Sequence, residues 1–153
     1  MIKVNVEVDF KPWFKKIKKP KKYFNKKLKK IKKIVPFFKN KNITFTILLT
    51  NSKRMKSLNK KFRNKEKAAD VLSFPSFLPK NLKLIKENNI YIGDVATCYQ
   101  IVNQRTKKNN FIEEFDKIWV HGLLHLIGHD HIKNKDHRKM IKLENKILNS
   151  IVK

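Results

Sequence analysis

A chain of 153 residues, 41% of them hydrophobic, is long enough to bury a core, points to a single domain over 1–153, and excludes a disordered polymer. Its single cysteine, Cys98, excludes an intrachain disulfide and suits a reducing compartment, and no window reaches the roughly 18 apolar residues of a membrane span. The formal net charge of +26 creates a field that attracts polyanions, of which nucleic acid is the commonest.

Residues 2–10 alternate apolar and polar, which predicts a strand with Val4, Val6, Val8 and Phe10 on one face. A signal peptide needs a continuous apolar stretch there instead, so the expected location is the cytoplasm. Residues 11–33 are Lys-rich and low in complexity. Within them Phe24, Leu28 and Ile31 fall at helical spacing after Pro20, predicting a basic amphipathic helix. Its stripe is expected to pack on the core with the lysines solvated, in preference to lying on a membrane surface. Residues 43–50 alternate again and predict a second strand. Asn51 or Ser52 can then cap a helix with Met55, Leu58 and Phe62 on one side.

Val71–Phe74 reads as a short strand stopped by Pro75, followed by a loop to about residue 90. Ile92–Cys98 reads as a fourth strand and about 99–108 as a helix. A further helix is expected from about Phe111 to Ile127, ended by Gly128. The last helix is expected over about 136–152, with Met140, Leu143, Ile147 and Ile151 facing the core. Strands and helices mix without strict alternation. The fold class is therefore α+β: a single small mixed sheet of about four strands packed against about five helices.

Part of the charge has a bland origin. The basic residues are nearly all Lys in a chain rich in Asn, Ile and Phe with only 3 Gly, the composition that AT-rich codons produce. That bias makes the four arginines, Arg54, Arg63, Arg105 and Arg138, candidates for places where a planar bidentate fork matters.

Residues 121–131 read His-Gly-Leu-Leu-His-Leu-Ile-Gly-His-Asp-His. His121 and His125 are i and i+4 on a helix, so both imidazoles leave one face, a turn apart, and can share one metal. Gly128 can reverse the chain so that His131 returns as a third ligand. His129 is the rival. On a continued helix it would lie about 12 Å along the axis from His121, too far for one ion with bonds near 2.1 Å. His131 is therefore preferred. Three neutral nitrogens and an open fourth position suit one Zn²⁺ per chain, on a helix–Gly–turn, with a water of lowered pKa. Zinc proteases with a long H-E-x-x-H-x-x-G-x-x-H motif share this spacing, but their general base is replaced here by Gly122.

The string 121–131 closely resembles the signature H-G-x-L-H-L-x-G-Y-D-H of the YbeY family of bacterial endoribonucleases. Two more blocks agree: Leu58-Asn59-Lys60-Lys61-Phe62-Arg63 followed by Asp70-Val71-Leu72-Ser73-Phe74-Pro75, and Gly93-Asp94-Val95 on to Cys98. Order and spacing match across about residues 43–150. The resemblance implies a single-strand-specific, metal-dependent endoribonuclease of late ribosome assembly and quality control, acting chiefly at the 3′ end of 16S rRNA. It implies single-stranded ribosomal RNA and the small ribosomal subunit as partners, zinc on His121, His125 and His131, and a cleft role for Arg63. His129 departs from the pattern, standing where Tyr is common, and Ala69 stands where a Thr is often found.

Arg63 is the expected catalytic electrophile, clamping a phosphate and offsetting developing charge; its alternative is an ordinary surface Arg at a helix end. Asp94 could position a histidine or the water, although a strand-end Asp more often caps a turn. Asp130 is expected to stabilise the turn after Gly128, and Cys98, Phe115 and Trp119 to pack in the core. Two other functions compete with the nuclease: a non-catalytic rRNA-binding assembly factor with a structural zinc, and a zinc peptidase, which lacks its base.

Overall fold

The alternating stretch around Phe45 forms an inner strand of a four-stranded sheet. The computed structural model describes residues 1–107, 110–130 and 133–152, with the Lys107 side chain left out. Its strands are β1 (Ile2–Val8), β2 (Asn42–Thr50), β3 (Val71–Pro75) and β4 (Asn89–Cys98), in the order β1-β2-β4-β3. β1 and β4 run parallel to β2, and β3 is antiparallel to β4. Parallel neighbours need crossover connections, and helices supply them. A single turn α1 (Trp13–Lys16) and α2 (Pro20–Ile34) join β1 to β2. α3 (Ser52–Arg63) leads to β3, and a second single turn, α4 (Pro79–Leu82), lies in the expected loop before β4. α5 (Tyr99–Gln104), α6 (Phe111–Leu126) and α7 (Asn134–Ile151) complete the described part. The result is the expected α+β architecture, with five longer helices and two single turns.

One sheet face carries the main core. Val4, Phe45, Ile47, Leu49 and Ile92 meet Phe24, Leu28 and Ile31 of α2, Phe115, Trp119 and Leu123 of α6, and Met140 and Ile147 of α7. The apolar stripes expected of α2 and α7 are thus buried, with Leu143 partly so, and Phe115 and Trp119 are core. The Lys-rich segment holds a surprise. Trp13, which has lysines close by in sequence, is fully buried, and its Nε1 donates to the Thr50 carbonyl at 2.9 Å. Within 11–33, Trp13 and Ile17 pack inward together with the expected Phe24, and most of the lysines are exposed, Lys27 being an exception.

α2 is also tied to α6 by a buried charge. Asp116 is 1% exposed and accepts from Trp119 Nε1 at 2.9 Å, from Lys27 Nζ at 2.5 Å and from the Tyr23 hydroxyl. A buried carboxylate is tolerated only when such partners satisfy it. Burial and the Asp116 charge together push the Tyr23 hydroxyl far above the ordinary phenol pKa.

On the other sheet face α3 covers a small cluster of Met55, Leu72, Ala96 and Cys98, with Ala68, Ala69 and Ile101 of α5 packed against it. Cys98 is buried, as expected. The expected stripe of α3 stops short: Met55 is buried, Leu58 half-buried, and Phe62 is 57% exposed. Asn51 caps α3, its Oδ1 accepting from the Arg54 N–H at 2.9 Å. Among the described residues no helix is long and apolar enough to cross a membrane.

Candidate functional site

The site begins with a glycine that brings helix and strand together. A β-carbon at Gly122 would stand 2.8 Å from both Val71 Cγ2 and Val95 Cγ1, so only glycine lets α6 lie this close to β3 and β4. Ser73 Oγ donates to the Gly122 carbonyl at 2.9 Å across the same contact. The peptidase reading fails on these grounds as well as on sequence, because no carboxylate side chain fits at position 122.

His121 and His125 project from this helix into a cleft of about 660 Å³ along the β3 edge. Their Nε2 atoms are 3.0 Å apart, with ring planes crossing at 78°. Two nitrogens that bond one tetrahedral zinc at about 2.1 Å are roughly 3.4 Å apart, so the pair fits a shared cation after a small adjustment. Nδ1 of His121 lies 2.6 Å from Glu144 Oε1 on α7. A carboxylate there accepts a hydrogen bond from Nδ1–H and leaves the Nε2 lone pair for a metal.

The helix ends as its glycine requires. Gly128 has φ +90°, its N–H donates to the His125 carbonyl at 3.1 Å, and the His129 N–H donates to the Leu124 carbonyl at 3.1 Å. This paired closure turns the chain back toward the cleft, which Gly128, His129 and Asp130 line. Burial, the largest influence, holds the His129 imidazole below its usual pKa, against the opposing pull of Asp136 and Glu144. His131 lies outside the described residues, and among the described residues no group of three or more ligand-type side chains is assembled.

Arg63 enters the same cleft from the opposite layer. It is the last residue of α3, followed by Asn64 in the left-handed conformation at φ +54°. The buried Asn59 holds this turn, donating from Nδ2 to the Lys67 carbonyl at 2.8 Å. Asp70 also lines the cleft and pairs with Arg105 at 2.7 Å. Two of the four arginines, Arg54 with Asp9 and Arg105 with Asp70, are thus in ion pairs, and Arg63 lines the cleft that holds the histidines.

Asp94 is not part of this cleft. It sits on the sheet face beneath α3 and accepts from the Tyr91 hydroxyl, so neither a role beside the histidines nor the turn cap applies to it. Glu144, which does support a histidine, was not among the residues singled out from sequence. It stands 23 residues from His121, and no local spacing announces it.

Comparisons with known proteins point to one family. The family model described as Endoribonuclease YbeY matches residues 7–152. The Endoribonuclease YbeY of Pelagibacter ubique (strain HTCC1062) is 49% identical over 154 residues, covering 96% of this chain and 94% of its own. That of Thermodesulfovibrio yellowstonii is 35% identical, covering 83% and 76%. The solution structure of TM1509 from Thermotoga maritima has the same fold, with a TM-score of 0.62 at 22% identity, covering 99% of this chain and 89% of that one.

Proposed function

This chain belongs to the Endoribonuclease YbeY family, and on that premise we propose that it cleaves single-stranded ribosomal RNA as a zinc-dependent endoribonuclease. The observation that carries this reading is one cleft in which the Nε2 atoms of His121 and His125 stand 3.0 Å apart beside Arg63. We place the protein in the cytoplasm, as one domain over 1–153, maturing the 3′ end of 16S rRNA on the small ribosomal subunit.

His121, His125 and His131 would hold the zinc, one ion per chain. When bound, zinc supplies Lewis acidity, lowering the pKa of water and polarising a phosphoryl oxygen. The chain's own residues do the rest. Glu144 fixes the tautomer and direction of His121. Arg63 clamps the phosphate with its planar fork and stabilises charge that grows as the phosphodiester is attacked. Leu123, Leu124 and Leu126 bury the rest of the helix and keep it rigid beneath the cleft. The lysines steer and hold the RNA backbone by charge alone.

One experiment tests the reading. Purified protein is incubated with labelled single-stranded rRNA, with its duplex form and with casein, each with and without chelator, and the metal content of the same preparation is measured. Chelator-sensitive cutting of the single strand alone is expected. Binding without cutting would turn the protein into an assembly factor, and cutting of casein would make it a peptidase.

A further inference from the structure

The edge strand β3 separates two cavities. Val71, Ser73 and Pro75 line the histidine cleft, and Phe74 lines a second cavity of about 560 Å³ on the opposite sheet face, beside α3. Nothing in the chemistry described so far uses this second cavity. Its floor is Thr46, Tyr91 and Asp94, and its wall is α3, with Leu58 and Phe62.

The aromatic groups here are unusual in their exposure. Phe62 is 57% exposed and Tyr91 41%. The Phe62 ring meets Phe74 edge-on, centroids 5.0 Å apart, and Lys61 Nζ lies 5.3 Å from its centroid, so the ring is held in place beside a cation while much of it stays exposed. The Tyr91 hydroxyl is fixed between Thr46, at 2.5 Å, and Asp94. Held aromatic rings open to solvent on a sheet face form the platform on which unpaired bases stack.

The charges say which part of a nucleic acid fits. Glu7, Asp94 and Arg54 line the cavity, and Arg54 is paired with Asp9, so the two carboxylates disfavour a phosphate on the floor, whereas the N–H donors on a base edge find acceptors. Outside the cavity, α3 exposes Lys53, Lys56 and Lys61 to follow the backbone. The cavity and the cleft are neighbours on either side of β3, since Phe62 lines one and the next residue, Arg63, lines the other. A second copy of this chain is a poor occupant, because two bodies of charge +26 repel.

We propose that this groove is a base-binding subsite that receives an unpaired nucleobase next to the cleaved bond, stacked on Phe62 with Asp94 at its edge. The inference rests on the endoribonuclease reading and gives it a physical source of single-strand preference: a base within a duplex cannot leave its stack to enter.

The test uses zinc-loaded full-length protein and single-stranded RNA oligonucleotides in which one nucleotide at a time around the cut is abasic. For the wild type, one abasic position beside the cut should raise KM about tenfold, with kcat nearly unchanged. Phe62→Ala should raise KM about tenfold on the complete oligonucleotide and lose its sensitivity to that position. Phe62→Tyr should restore both. Because Phe62 is exposed, the variants should keep the wild-type Tm and zinc content, and both are measured. Equal cutting of every abasic oligonucleotide by the wild type overturns the subsite, as does a Phe62→Ala enzyme that remains sensitive. A dimer in sedimentation that Phe62→Ala dissolves would assign the groove to a second copy and also overturn it. If the wild type cuts no RNA, the endoribonuclease reading itself has failed, an outcome distinct from the others, in which RNA is cut.

Discussion

Glu144 reaches across from the last helix to Nδ1 of His121, 2.6 Å away. This contact fixes which imidazole nitrogen is left for a metal, and it makes α7 part of the site without supplying a ligand. Glu144→Ala should weaken zinc binding by about 10- to 100-fold. Glu144→Gln, which keeps an acceptor oxygen, should lose less. Competition titration against a chelating dye measures both. Equal affinity in all three proteins would reduce the contact to packing.

The ligand set has its own test. Wild-type protein should hold about one zinc per chain. His125→Ala should lose it, because two remaining imidazoles hold zinc poorly, and His129→Ala should keep it. Elemental analysis after dialysis gives the answer. Loss of metal in His129→Ala with retention in His131→Ala would replace His131 by His129.

Arg63→Lys separates catalysis from binding. The charge remains and the bidentate fork is lost. Affinity for single-stranded RNA should stay near wild type, whereas cleavage should fall on the order of a hundredfold. Zinc content should not change. A parallel loss of affinity and rate would mean that Arg63 only holds the RNA.

The solvated lysines of α2 predict a steep salt dependence. Affinity for single-stranded RNA should fall strongly between low and physiological salt, since each phosphate contact releases a counterion. Replacing Lys21, Lys22, Lys26 and Lys29, all exposed, by Gln should weaken binding and flatten that slope without moving the cut site. Unchanged binding in a filter assay would make the lysines a by-product of codon bias.

Gly122→Ala should destabilise the fold by about 2 kcal/mol, the usual cost of forcing a methyl group into a packed contact. For a chain of this size that is a Tm lower by about 6 °C. Because the clash is with Val71 and Val95, Val71→Ala in the same protein should recover part of the loss.

How much of this was legible in the sequence depends on the reach of each signal. The alternation of Ile43, Phe45, Ile47 and Leu49 declared β2, and the spacing of Met140, Ile147 and Ile151 declared α7, because periodicity is a local property. β4 starts at Asn89, three residues before the expected Ile92, because a pair of asparagines reads as a turn until a neighbouring strand pairs with it. Phe62 fits the apolar period of α3, yet the sheet face beneath it is open, and no pattern within the helix records that. Trp13 was hidden by the lysines near it. His121, His125 and Arg63 were found by motif. Glu144, and the Asp116 that Lys27 meets from 89 residues away, depend on contacts that only the folded chain makes.

β4 carries one more residue than β2 between the pairs Thr44–Tyr91 and Thr46–Asp94, at Gly93 with φ +133°. In an even strand, residues three apart face opposite sides. The extra residue acts as a phase shifter: it puts Tyr91 and Asp94 on the same side and still leaves Ile92 and Val95 to the main core. The strand is therefore two reading frames joined at one glycine, and its tolerance to length change is sharply uneven. Removing any single residue between Tyr91 and Asp94 would exchange inside and outside for half the strand, turning a polar groove inward and an apolar core outward. In a library of one-residue deletions this short stretch should be a gap, bordered by termini and loops where deletions survive.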